Sequence, residues 1–169
     1  MRKRIGFFGG TFDPIHFGHI AFAIQLMEEH GLDEVLFCPA FCSPFKLAEP
    51  PVARPDQRLA MLQLALDHPA FKLATLELDR GGPSYTIDTL RALQSPGVEF
   101  RLLLSDEAAA HLDQWKETQE LVRLAPPLIG RREIPISSTG IRMRLKKKLY
   151  CAHLVPAKTL EYIERYRLY

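Results

Sequence analysis

Apolar residues come in two patterns along this chain. Some form short uniform runs, and others recur every three or four positions. Residues 4–8 are a uniform run closed by two glycines, the pattern of a buried strand. In Phe17–His30, Ile20, Ile24 and Met27 share one helical face, and Gly31 is a C-cap candidate. Residues 34–37 resume the strand pattern, which Pro39 ends. Residues 39–55 hold five prolines and read as a long loop, a length usually given to binding or lid segments. Pro55 opens a helix at the favoured first position, running through residue 67. Residues 71–78 and 98–104 read as strands and 128–129 as a very short one. Helices are expected over 84–94, 107–113, 117–124, 138–148 and 156–166.

Strands thus alternate with helices, and the strands are too uniformly apolar for a sheet with one wet face. This predicts an α/β domain: a mostly parallel, doubly wound, Rossmann-like sheet with helices on both faces. One domain over residues 1–169 is expected, with the helices after about residue 138 packed against it. In such sheets ligands sit at the carboxyl ends of the strands, so the turns after residues 8, 39, 78 and 104 are expected to face the site.

Composition narrows the picture. The chain has 169 residues, 47% hydrophobic, with 22 Lys+Arg against 20 Asp+Glu. That is enough chain for a core without staples, and a near-neutral balance disfavours a nucleic-acid binder. No apolar run approaches the roughly 18 residues of a membrane span. The basic start MRKRIGFFGG superficially resembles a signal peptide, but Gly9, Gly10 and Asp13 interrupt its apolar stretch. A cytoplasmic protein without membrane or nucleic-acid partners is expected. The 3 cysteines fit no disulfide framework. Cys38 and Cys42 lack a second ligand pair, so no residue is assigned to a bound metal.

Two segments carry chemistry. The first, Gly9-Gly10-Thr11-Phe12-Asp13-Pro14-Ile15-His16-Phe17-Gly18-His19, joins the first strand to the first helix. Its glycines allow close backbone approach, its helix N-terminus offers free N–H groups and a favourable dipole, and His16 and His19 share a face. Gly18, between them, leaves space for a bulky ligand. Together with the Thr11 hydroxyl these groups make a phosphate cradle. The competing reading is an ordinary strand-to-helix turn with core histidines. The second, Ile136-Ser137-Ser138-Thr139-Gly140-Ile141-Arg142, places hydroxyls before a helix and an arginine inside it. Alone it reads as an N-cap. Beside the first it forms the other half of a triphosphate clamp.

GGTFDPIHFGH together with ISSTGIR resembles the HxGH nucleotidyltransferase superfamily. Within it, Ser84-Tyr85-Thr86-Ile87-Asp88-Thr89-Leu90, Asp106 followed by Trp115, and the ending Tyr162-Ile163-Glu164-Arg165-Tyr166-Arg167-Leu168-Tyr169 resemble the nicotinate-mononucleotide adenylyltransferases. The matches span the chain. The resemblance implies that ATP and nicotinate mononucleotide give deamido-NAD and pyrophosphate, in NAD biosynthesis. The mononucleotide phosphate, already ionised near neutral pH, would attack the α-phosphorus, so catalysis reduces to positioning and charge stabilisation. Mg²⁺ would accompany ATP, held by phosphate and water. His16, His19 and Arg142 would be catalytic. Gly9, Gly10, Thr11, Ser138 and Thr139 would bind ATP phosphates. Lys46, Tyr85, Thr86, Asp106 and Trp115 would hold the mononucleotide, with Trp115 stacked on the pyridine ring. Arg58 and Arg80 read as structural or peripheral, and the basic run 142–148 beyond Arg142 as a solvated face.

The chain also departs from the family. Phe45 stands before Lys46 where a histidine is usual, and Leu104 stands two residues before Asp106 where glycine is usual. Only residues 116–137 separate Trp115 from Ser138, a span in which relatives commonly carry a further strand and an arginine-proline-glycine turn near adenine. Gly130-Arg131-Arg132 is what remains. Two other readings stay open: the same fold acting on nicotinamide mononucleotide or another phosphorylated acceptor, and a nucleotide-binding regulator with weakened catalysis. Self-association into a homo-oligomer is also left open.

Overall fold

The computed structural model describes residues 2–169. Five parallel strands form one sheet in the order β3-β2-β1-β4-β5. They are β1 (Lys3–Gly10), β2 (Glu34–Pro39), β3 (Phe71–Leu73), β4 (Val98–Ser105) and β5 (Pro127–Gly130). The chain runs outward from β1 through β2 to β3, then returns to the other side for β4 and β5. The switch point therefore lies between β1 and β4, where open α/β sheets bind ligands. Gly10 pairs with Pro39, and Ser105 with Gly130, so four strands end along one rim.

Both faces of the sheet are apolar. Phe37 and Leu103 point to one side, where Phe22 and Leu26 of α1 (Phe17–His30), Met61 and Leu62 of α2 (Pro55–Ala65) and Ile163 join them. Phe7, Cys38, Leu102 and Leu104 point to the other, against Ile87, Leu90 and Leu121. Neighbouring strand positions enter opposite cores, which is why the strands read as unbroken apolar runs. Ile163 lies on α8 (Ala157–Tyr166), which packs on α2. Leu104 has its side chain buried in the second core.

Most expected elements form where the pattern places them, and two differ. Residues 71–78 are not one strand: β3 stops at Leu73, and Leu76–Arg80 coil into a short helix, α3. The turn is driven by polar groups that need partners. Thr75 donates its hydroxyl to Asp79 at 2.7 Å, and the buried Glu77 carboxylate accepts from Thr89 at 2.7 Å. The expected helix over 107–113 divides into α5 (Asp106–Ala109), capped by the Ser105 hydroxyl, and a 3-10 turn at Leu112–Gln114. α4 (Thr86–Leu93), α6 (Thr118–Leu124) and α7 (Ser138–Lys146) complete the fold. No helix among the described residues is long and apolar enough to cross a membrane.

Candidate active site

The turn from β1 to α1 is built around reciprocal histidines. His16 is the N-cap of α1, and its Nδ1 accepts the backbone N–H of His19 at 3.3 Å. The Nδ1 of His19 accepts the backbone N–H of His16, also at 3.3 Å. This is a capping box made by two imidazoles in place of hydroxyl and carboxylate. The rings stack with centroids 3.7 Å apart. With both Nδ1 atoms accepting, the proton of each neutral ring sits on Nε2. The pair offers two N–H donors to an anion and carries no charge.

Burial keeps the pair neutral. It lowers His16 to about 4, helped by the Arg132 guanidinium, and holds His19 well below the ordinary imidazole range, with His16 and Arg132 adding to the effect. The rings of Phe12 and Phe8 stand 5.1 and 6.2 Å from the His19 ring and form its apolar wall. Arg132 follows β5 on the same rim and lies 3.9 Å from Glu107.

The glycines of this turn serve the protein's own rings. A side chain on Gly18 would meet His16 Nδ1 at 3.0 Å, so the expected free space is filled by the imidazole. A side chain on Gly10 would lie 2.8 Å from the Phe12 ring, which the left-handed Phe12 backbone (φ 49°) folds back beneath β1. Gly9 lies within β1, paired with Cys38.

The second motif joins the first directly. Ser137, not Ser138, caps α7, accepting from the Gly140 N–H at 3.1 Å. Ser138 donates its hydroxyl to the Pro14 carbonyl at 2.8 Å. Arg142 donates to the Asp13 carbonyl at 2.7 Å and to the Thr139 hydroxyl at 3.2 Å. The N-termini of α1 and α7 are thereby held together, with Thr11, His16, His19, Ser138, Thr139 and Arg142 in one region.

A second wall collects the remaining candidates. Pro44–Lys46 form a 3-10 turn, with Lys46 exposed at its end. Phe45 lies 6.3 Å from the half-buried Trp115 ring. Lys116, next in the chain, sits 4.8 Å over the Tyr85 ring and pairs with Asp88 at 2.9 Å. Tyr85 and Thr86 open α4, presenting free backbone N–H groups. The loop is stitched to them: Ser84 accepts from the Phe41 N–H at 2.9 Å and donates its own N–H to the Cys42 carbonyl at 2.9 Å. Asp106 opens α5 with an exposed carboxylate beside the β4 end.

Two buried polar groups have no counterpart in the sequence reading, and a third, Arg58, holds a structural place. Asp13 lies inside the motif between β1 and α1, where nothing marks its carboxylate as a backbone anchor. Tyr169 donates its hydroxyl to Asp13 at 2.6 Å. Glu77 had no signal beyond being one carboxylate in an apolar stretch. Burial raises its pKa, opposed by hydrogen bonds from Thr89 and Ser84 and by Arg80. Arg58, read as structural, is fully buried and donates to the carbonyls of Thr11, Ala40 and Phe41 at 2.8, 2.7 and 3.1 Å.

The chain matches the cytidylyltransferase-like family over residues 7–144. The nicotinate-nucleotide adenylyltransferase of Bacillus subtilis (strain 168) is 35% identical over 187 residues, covering 99% of this chain and 98% of that protein. The chain belongs to the nicotinate-nucleotide adenylyltransferase family. Its fold is also that of the Plasmodium falciparum nicotinic acid mononucleotide adenylyltransferase. The structure of that enzyme complexed with NaAD superposes with a TM-score of 0.78 at 20% identity, covering 98% of this chain and 97% of that one. A second, complexed with APC, gives 0.75 at 18% identity, covering 98% and 96%. The alignment with the Bacillus relative runs over 187 positions against 169 residues here, so this chain of the nicotinate-nucleotide adenylyltransferase family is shorter than that relative within the matched span.

Proposed function

We propose that the protein transfers the adenylyl group of ATP to nicotinate mononucleotide, giving deamido-NAD and pyrophosphate in NAD biosynthesis in the cytoplasm. The observation that carries this reading is the joining of two phosphate-binding helix ends through Ser138 to Pro14 and Arg142 to Asp13, with a neutral histidine pair at their meeting point. ATP arrives as its divalent-metal complex, with Mg²⁺ as the ion, which offsets part of the charge that two phosphorylated substrates bring together. Among the described residues no group of three His, Cys, Asp or Glu side chains could hold a metal, and the ion in this reading rides on the triphosphate.

The residues then divide the work. His16 and His19 donate from Nε2 to phosphate oxygens and stabilise charge on the departing pyrophosphate. The Arg142 guanidinium, the Thr139 hydroxyl and the free backbone N–H groups of Ser138 and Thr139 at the start of α7 hold the triphosphate from that side, and Thr11 with the turn around Gly9 and Gly10 holds the reacting phosphate. Lys46 meets the mononucleotide phosphate. The free N–H groups at Tyr85 and Thr86 take the nicotinate carboxylate, Trp115 stacks on the pyridine and Asp106 binds near the ribose. The attacking phosphate needs no general base, since its oxygen is already ionised.

Pyrophosphate release with ATP·Mg²⁺ and separate acceptors tests the reading. Turnover with nicotinate mononucleotide, and little with nicotinamide mononucleotide, supports it. Turnover only with the amide moves the assignment to another acceptor, and binding of both substrates without release makes the protein a regulator.

A further inference from the structure

The loop over residues 40–53 is tied down at both feet to one short turn. On its outgoing limb, Arg58 clamps the carbonyls of Ala40 and Phe41 and, from the same Nη1 that holds Ala40, the carbonyl of Thr11. On its return limb, the backbone N–H groups of Val52 and Ala53 donate to the Asp13 carboxylate at 2.8 and 3.1 Å. Asp13 is 3% exposed and takes a third hydrogen bond from the Tyr169 hydroxyl. Burial and the neighbouring carboxylate push the Tyr169 phenol upward, so it stays the donor. Between the feet, Phe45 to Pro50 are exposed, and among the described residues the tip hydrogen-bonds only within itself, through Phe45 and Lys46 to Ser43 and Glu49 to Lys46. Both feet thus rest on Thr11–Asp13, the turn that leads into the histidine pair.

We infer that Arg58, Asp13 and Tyr169 are positioning residues that register the acceptor loop, with Lys46 at its tip, against the triphosphate turn. The inference rests on the proposed role of Lys46 toward the mononucleotide phosphate. Neither Asp13 nor Tyr169 needs to touch a substrate. The Asp13 carboxylate fixes where the loop returns. The Asp13 carbonyl fixes Arg142 at 2.7 Å, with the carboxylate farther from that guanidinium at 3.9 Å. Loosening the carboxylate therefore moves the acceptor side more than the ATP side.

Tyr169→Phe removes one hydroxyl and keeps the ring. It is expected to raise KM for the mononucleotide about five- to tenfold, the net scale of one lost hydrogen bond, with KM for ATP and kcat changed less than about twofold. Asp13→Asn is expected to act in the same direction, and the double variant to add little, because both act through one contact. Amide exchange supplies a readout independent of activity: protection at Val52 and Ala53 falls in Tyr169→Phe, while that of the β1 amides holds. Unchanged acceptor KM with unchanged protection at Val52 and Ala53 overturns the inference, as does an equal rise in both KM values. If the wild type turns over no pyridine mononucleotide, the proposed activity fails, and exchange at the two amides alone decides on the registering contact.

Discussion

His16 and His19 each accept the other's backbone N–H through Nδ1 while their rings stack at 3.7 Å. One arrangement therefore starts a helix, selects a tautomer and aims two donors. Losing the His16 ring removes the helix cap together with one donor, and losing the His19 ring removes the return bond and the other donor, so these positions join local structure to chemistry.

His19→Ala is expected to lower kcat by about 10²-fold or more, the scale for removing one preorganised charge stabiliser. Steady-state kinetics at saturating ATP and acceptor measure it. A near-normal rate would remove His19 from the mechanism.

The depressed imidazoles make stability depend on pH. An unfolded histidine protonates near pH 6.5, whereas folded His16 does so at about 4. Between these values the unfolded chain binds more protons, so the contribution is complete above pH 6.5 and is lost as pH falls through the window. At pH 5 the loss from His16 is about 2 kcal/mol. Urea unfolding at pH 7.5 and 5.0 checks the size, and the His16 ring-proton shift should stay flat between them. A titration midpoint near 6.5 would show that burial does not control this ring.

Gly18→Ala places a methyl 3.0 Å from His16 Nδ1. Accommodating it displaces the ring, with an expected cost of about 1–3 kcal/mol in stability and roughly tenfold in kcat. Thermal unfolding and kinetics on the same sample read both, and a variant unchanged in kcat would mean that the ring position is not critical.

Trp115→Ala separates two roles. Stacking on the pyridine predicts a higher acceptor KM, with ATP KM unchanged, by about tenfold for one lost aromatic contact. A lower unfolding temperature with unchanged KM would instead make Trp115 a part of the second core only.

Thr89→Val takes the hydroxyl from the buried Glu77 carboxylate, which it approaches at 2.7 Å. The expected destabilisation is about 1–3 kcal/mol. A urea midpoint equal to that of wild type would show that Ser84 and Arg80 suffice to satisfy Glu77.

The sheet was legible because its strands are apolar on both sides, and the helices because Gly31 and Pro55 mark their ends. The run 71–78 misled because Leu76 and Leu78 fit a strand by composition, while the buried demand of Glu77 for a partner turns the chain into a helix. Charge-to-hydroxyl pairing across twelve residues leaves no periodic trace. The two candidate phosphate-binding strings stand out in the sequence, but not their junction, because Ser138 meets Pro14 across 124 positions. Gly18 shows the limit of reading a small residue as room for a ligand: the occupant is the neighbouring imidazole. Phe45 read as a missing phosphate donor, and its position beside Trp115 came only with the fold.

The bond from Tyr169 to Asp13 spans 156 positions, and β1 cannot gain its second neighbour until β4 is made. The turn that carries both histidines therefore depends for its final shape on segments far later in the chain. A fragment lacking residues 157–169 would carry both histidines and still lack the Tyr169 hydroxyl that steadies Asp13 where it holds Val52 and Ala53.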